Sequence, residues 1–204
     1  MDAQTRKRLI DEHLDAIREL EAQATGEIAD ESQSWPPDGF YMLWHVVVGL
    51  MLGGLGALVS LTANVFGAPL FGRRSLELIR VYLTFPMGAK ALEVEEGMVL
   101  FVGCMLYLVT GALYGVFLHL VMTLYFNEAS EQKKLVVATV IGLALWIVNF
   151  YLIISWLQPM LLGDNWIVRL IPWWVGALTH LAFAWSVLAA ELWGDFGRFR
   201  GQTA

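Results

Sequence analysis

Three histidines lie inside long apolar runs of this sequence, where burying an ionisable side chain costs free energy. His45 stands near the start of one run, His119 near the end of the next, and His180 within the last. Imidazoles on facing helices can ligate a haem iron, exchange hydrogen bonds or carry protons. The chemistry open to this chain therefore depends on which histidines the fold brings together.

The positions of His45 and His119 predict that they lie at the same depth. His45 is about four residues from the start of its run, and His119 is about six from the end of a run that passes the other way. At a rise of about 1.5 Å per residue, both would lie roughly 6–10 Å below one interface. If the two helices are neighbours, the imidazoles can meet.

Small residues share a helix face with each of these histidines. Residues four apart lie nearly above one another on a helix, and glycine or alanine at that spacing is typical of close helix packing in membranes. Such faces direct the histidines into a bundle and away from lipid. The predicted packing positions are Gly49, Gly53 and Ala57 beside His45, then Gly103, Gly111 and Gly115 beside His119, and Gly176 beside His180.

Composition and the length of the apolar runs predict a membrane protein. The chain has 204 residues, of which 57% are hydrophobic and 16% charged, against about 25% charged in soluble domains. About 20 apolar residues cross the hydrocarbon core as a helix, which satisfies its own backbone hydrogen bonds. We therefore expect an all-α integral membrane protein, a four-helix bundle of two antiparallel hairpins. Its predicted transmembrane domain is 41–193, with helices at 41–63, 98–126, 135–157 and 167–193.

The flanking segments are expected to lie outside the bilayer. Residues 5–24 carry leucine and isoleucine at three- and four-residue steps, which predicts an amphipathic helix within an N-terminal region 1–40. An acidic linker with two prolines completes that region, and 194–204 is a polar tail. Four spans place both termini on the same side of the membrane.

The basic residues favour a cytoplasmic side for the termini. Eight lysines and arginines would lie on the side of the termini and five on the other. Arg6, Lys7 and Arg8 are far from the first span, and without them the two sides carry equal numbers of basic residues. A charged 40-residue region is also easier to leave in the cytoplasm than to translocate.

The connection between the first two spans contains a further predicted helix. Residues 75–85 are apolar but carry arginine, which indicates an interfacial or re-entrant helix that ends at Pro86 and Gly88. Anionic lipid is the expected partner of its basic residues, Arg73, Arg74 and Arg80.

The sequence lacks the motifs of common catalytic sites. It has no Gly-x-Ser-x-Gly, His-Glu-x-x-His, Walker or Cys-x-x-Cys pattern. The net charge of −6 and the lack of a basic patch argue against nucleic acid as a partner. No lysine or arginine lies in the core of a predicted span, which disfavours ion-coupled transport.

Three interpretations follow, and they differ in the role of the histidines. The patterns favour a non-catalytic accessory or structural subunit of a larger membrane complex, in contact with lipid and with other membrane subunits, without a cofactor. The alternative is a redox subunit that binds haem b through His45 and His119, with His180 a weaker candidate. A third interpretation is a small transporter with Asn149 and His180 lining its path.

Overall fold

Four helices in the computed structural model are long and apolar enough to cross a membrane. The structure describes residues 13–23, 39–95 and 97–194, which are almost entirely helical and contain no strand. This agrees with the all-α prediction and is compatible with a multi-pass membrane protein. The four candidate spans are Phe40–Phe71, Met98–Tyr125, Glu131–Leu162 and Trp173–Gly194.

Eight α-helices follow one another along the described residues. Short 3₁₀ segments follow α2 and α3, and a π-helical segment, Val148–Ile154, joins α5 to α6. The helices are α1 (residues 13–23), α2 (Phe40–Gly67), α3 (Glu77–Met87), α4 (Met98–Tyr125), α5 (Glu131–Ile147), α6 (Ser155–Leu162), α7 (Trp166–Leu170) and α8 (Trp173–Gly194).

The chain divides into two units, Met1–Tyr41 and Met42–Ala204. In the first unit, α1 exposes Leu14, Ile17 and Leu20, whose spacing places them on one face of the helix. The rest of the predicted N-terminal helix, most of the linker and the tail after residue 194 lie outside the described residues. The packing described next belongs to the second unit.

Helices α2 and α4 run in opposite directions and touch through their glycines. A Cβ added at Gly53 would lie 2.5 Å from the Gly111 carbonyl oxygen and 2.6 Å from the Gly115 Cα. A Cβ added at Gly49 would lie 2.5 Å from the Val116 Cα. Backbone therefore meets backbone along this face, as it does in close helix pairs of membrane proteins.

Helix α8 packs against both α2 and α5. A Cβ added at Gly56 on α2 would lie 2.7 Å from Val187 Cγ2, and one added at Gly142 on α5 would lie 3.0 Å from Ala184 Cβ. On the same face, Gly176 leaves room for the indole of Trp146. The predicted packing position Gly176 therefore faces α5, and Gly103 on α4 faces α3 instead of another span.

The third long helix extends further at both ends than the predicted 135–157. The Ser130 side chain caps its start by accepting from the Lys133 backbone N–H. Its continuation passes through Pro159, which has no N–H to donate to the Ser155 carbonyl. The Asn165 side chain donates to that carbonyl at 3.3 Å, so the group freed by the proline keeps a partner.

The last predicted helix, 167–193, is two helices. The residue before a proline is restricted to extended conformations, and Ile171 accordingly has φ −88° and ψ 116° between α7 and α8. The Pro172 carbonyl then accepts from the backbone N–H groups of Val175 and Gly176 at the start of α8. Proline thus ends one helix and begins the next.

Helix α3 is tied into the bundle through its buried face. Ile79 and Leu83 fill the space beside Gly103 of α4, where a Cβ would lie 2.7 Å from each side chain. The fully buried Gln158 donates to Thr84 Oγ1 at 2.9 Å and accepts from the Ile167 N–H at 3.0 Å. Buried polar groups with partners of this kind fix α3 against α6 and α7.

The structure corrects the prediction that Arg80 contacts lipid. Its side chain is buried, and its guanidinium donates to the carbonyls of Val94 and Glu95, the second at 2.8 Å. Burial and then the neighbouring Arg74 guanidinium lower the pKa of Arg80. Arg73 and Arg74 are exposed, although Arg74 also donates to Glu77 and to the Leu92 carbonyl.

Arg80→Met is expected to loosen the 3₁₀ segment that follows α3. The substitution keeps the aliphatic stem and removes two charge-assisted hydrogen bonds, a loss of roughly 1.5–3 kcal/mol each at most. Limited proteolysis in detergent should cut residues 88–97 faster than in the wild type. Arg73→Met, on an exposed residue, should leave the rate unchanged; equal rates for both variants would contradict the role assigned to Arg80.

Candidate functional site

A chain of three buried side chains joins α2, α4 and α8. His45 Nδ1 lies 3.1 Å from His119 Nε2, and His119 Nδ1 lies 3.4 Å from Glu191 Oε1. His119 is fully buried, while His45 and Glu191 are 8% and 9% exposed. We refer to these three residues as the His–His–Glu chain.

Glycines next to the histidines make this contact possible. Gly49 lies one turn after His45, and Gly115 lies one turn before His119. Because neither has a Cβ, the two backbones approach closely enough for short imidazole side chains to meet. The predicted meeting of His45 and His119 is therefore what the structure shows.

An ionised Glu191 would fix the tautomers of both histidines. A carboxylate only accepts, so His119 would carry its proton on Nδ1. Neutral His119 then accepts at Nε2 from the Nδ1–H of His45, which leaves His45 Nε2 unprotonated. The arrangement can hold the helices together, and it can pass a proton between its ends by a shift of tautomers.

The two contacts of the His–His–Glu chain differ in length. The His45–His119 distance is that of an ordinary hydrogen bond, whereas 3.4 Å between His119 and Glu191 exceeds the 2.7–2.9 Å or so of charge-assisted bonds. His119 Nδ1, Glu191 Oε2 and the Thr123 hydroxyl, one turn beyond His119, are all buried without a hydrogen-bond partner among the described residues. The contact between His119 and Glu191 is therefore a close approach and not a formed hydrogen bond, unlike the contact between His45 and His119.

His45 and His119 do not fit axial ligation of haem in this arrangement. Two imidazole nitrogens on opposite sides of a metal are about 4 Å apart, from two bonds of about 2 Å, whereas these nitrogens are 3.1 Å apart. The Gly53–Gly115 contact also leaves no width for a porphyrin between α2 and α4. Among the described residues, no group of three or more His, Cys, Asp or Glu side chains could hold a metal ion.

His180 belongs to a different part of the bundle. Its Nδ1 lies 2.8 Å from the Gly176 carbonyl oxygen, and its ring packs edge-on against Phe150 at 5.9 Å between centroids. It lines a cavity together with Asn149. The structure thus brings together the two residues that the transporter hypothesis placed on one path, and it keeps both away from the His–His–Glu chain.

A second polar cluster links the same three helices as the His–His–Glu chain. Ser60 Oγ lies 2.9 Å from the Tyr107 hydroxyl and donates to the Thr179 carbonyl at 3.0 Å. Asn64 donates to Thr179 Oγ1 at 3.1 Å. Two polar contacts about four turns apart along α2 therefore fix the register of α2, α4 and α8.

Sequence reasoning missed the part played by Glu191. Glu191 lies close to the end of its apolar run, and from that position alone a carboxylate would be expected to reach the lipid headgroups. A signal was present, since Glu191 follows His180 by 11 residues, which is about three helical turns and returns to the same face.

Comparisons with protein-family models, with curated proteins and with solved structures give no match to this chain.

Proposed function

We propose that this chain is an integral membrane protein with four spans that serves as a non-catalytic subunit of a larger membrane assembly. The observation that carries the proposal is the pairing of polar side chains inside the long helices. His45, His119 and Glu191 contact one another, and Ser60 and Asn64 bond to α4 and α8. Such groups act between helices and leave no acid, base or nucleophile facing an open cleft at the His–His–Glu chain.

The expected contribution of these contacts is structural. Hydrogen bonds between membrane helices contribute about 0.6 kcal/mol on average and up to roughly 2. Their value here is specificity, because the side chains of each contact meet in only one register of α2 against α4 and α8. In this proposal the two hairpins lie in the bilayer with both termini on the cytoplasmic side.

The exposed apolar residues of α1 support the proposal of a partner subunit. An isolated helix of this length is marginal in water. An apolar stripe on α1 consists of Leu14, Ile17 and Leu20, which are 47%, 51% and 64% exposed. A second subunit that covers this stripe would supply the missing packing. The charged residues on the other faces of α1 would then face water.

Purification from native membranes in several mild detergents tests the proposal. The chain should migrate on native gels with larger proteins and give a constant set of partners by mass spectrometry. Leu14→Ser with Ile17→Ser should release the partners, while Asp15→Ser with Glu19→Ser, on the same helix, should retain them. Recovery of the wild type as a lone, monodisperse protein in every detergent would refute the proposal.

A further inference from the structure

Two cavities lie side by side in the part of the bundle remote from the His–His–Glu chain. The outer cavity, of about 370 Å³, lies between the end of α2, α3 and the start of α8. The inner cavity, of about 170 Å³, lies among α3, α4, the π-helical segment and α8. Leu78, Ile171 and Thr179 line both cavities and therefore lie between them. Small-molecule sites typically measure about 300–1,000 Å³.

The outer cavity is mostly apolar, although Asn64, Arg73 and Glu77 also line it, and it opens on the outer surface of the bundle. Trp174 and Val175 line its wall, and Leu178 and Trp185 at its edge are 55% and 43% exposed. In a bilayer these exposed apolar side chains of α8 would face lipid. The cavity therefore suits a long apolar chain that enters from the hydrocarbon region.

The inner cavity has a mostly apolar lining that includes several polar side chains without a full charge. The Tyr82 hydroxyl lies 2.8 Å from Thr110 Oγ1, and the Tyr114 hydroxyl donates to Asn149 Oδ1 at 2.7 Å. No charged residue is among the described residues that line it. A ligand head that carries a full charge would be desolvated there without a counter-ion, which costs several kcal/mol.

Two hydrogen-bonding groups of the inner cavity remain available to a ligand. Asn149 accepts from Tyr114 through Oδ1, and its Nδ2, a donor, has no partner among the described residues. His180 engages the Gly176 carbonyl through Nδ1, which leaves Nε2 as an acceptor in the neutral ring. Asn149 lies in the π-helical segment Val148–Ile154, and π-helical turns are frequent at functional sites.

We propose that the two cavities form one binding site for a prenylated quinone or quinol. The uncharged ring lies in the inner cavity, where a quinone carbonyl accepts from Asn149 Nδ2 and a quinol hydroxyl donates to His180 Nε2. The prenyl tail passes Leu78 and leaves through the outer cavity into the lipid. This site goes beyond the proposed role as a subunit and does not depend on it.

Binding of decylubiquinone to the purified full chain in nanodiscs tests the site. Quenching of tryptophan fluorescence should be saturable, because Trp174 and Trp185 line the outer cavity. Ala182→Phe, which fills the outer cavity, should raise Kd at least tenfold. Ala189→Phe, at an exposed position two turns further along the same helix that does not line the cavity, should leave Kd unchanged.

A second pair of variants tests recognition of the head. Asn149→Leu removes the free donor and should raise Kd at least fivefold, whereas Ser155→Ala removes a hydroxyl that lines neither cavity and should bind as the wild type does. Decanol, which has no ring, should bind at least tenfold more weakly than decylubiquinone.

Three outcomes would overturn the proposal. Equal Kd for Ala182→Phe and Ala189→Phe would place the probe elsewhere. Equal affinity for decanol and decylubiquinone would show an apolar cavity that does not recognise the ring. Displacement of the probe by phosphatidylglycerol in the wild type but not in Arg73→Gln would assign the outer cavity to an anionic phospholipid, since Arg73 lies at its rim.

Discussion

Gly53→Ala is expected to separate α2 from α4, whereas Gly54→Ala at the next position leaves the bundle intact. The new methyl group at position 53 would meet backbone atoms of Gly111, Ala112 and Gly115 at 2.5–2.8 Å. Backbone cannot rotate out of the way, so one helix must shift. Overpacking of a core typically costs about 1–3 kcal/mol and occasionally more, and we expect at least about 3 here.

The control at Gly54 makes this effect specific. A Cβ at Gly54 meets nothing within 4 Å, and alanine is favoured over glycine within a helix by up to about 1 kcal/mol. Unfolding of purified protein by SDS in mixed micelles should therefore show Gly54→Ala as stable as the wild type or slightly more so. Similar stability of Gly53→Ala and the wild type would show that α2 and α4 do not meet through this face.

The meeting of His45 with His119 could be predicted because it depends only on local periodicity. Helical rise sets the depth of each histidine, and the four-residue spacing of glycine indicates the close face. The antiparallel contact of α2 and α4 then brings the imidazoles to 3.1 Å. The haem alternative could not be decided from periodicity, since it depends on the distance between two backbones.

Features that depend on tertiary contacts were beyond sequence reasoning. The arginines around 75–85 indicated an interfacial helix, but Arg80 is buried against the carbonyls of Val94 and Glu95. The apolar run 167–193 reads as one helix by hydropathy, and the break at Pro172 depends on a residue that is also tolerated at a helix start. In both cases one sequence feature is compatible with two folds, and only the packing of neighbours decides.

His119→Leu is expected to be the most destabilising single change in the His–His–Glu chain. It leaves His45 without its acceptor and removes the imidazole that lies closest to the Glu191 carboxylate. Loss of the partner of a buried charge typically costs about 3–5 kcal/mol, because the charge, here that of an ionised Glu191, stays buried without compensation. SDS unfolding should show a loss of that order.

The double variant His119→Leu with Glu191→Leu should recover most of this loss. Replacement of both members of a buried polar or charged pair by apolar side chains of similar size is often neutral or stabilising, and hydrogen bonds between membrane helices contribute at most roughly 2 kcal/mol. Thr123→Val is the control on α4, since it removes a buried hydroxyl that has no hydrogen-bond partner among the described residues. Its stability should equal or exceed that of the wild type.

The comparison of single and double variants separates two roles for these residues. If the His–His–Glu chain only holds helices together, the double variant keeps its fold and its partners in mild detergent, because packing replaces polar contact. If the double variant is stable but the assembly that contains it loses activity, the buried pair has a chemical role in proton transfer. If the double variant loses as much free energy of unfolding as the single variants His119→Leu and Glu191→Leu lose in sum, the two residues do not interact.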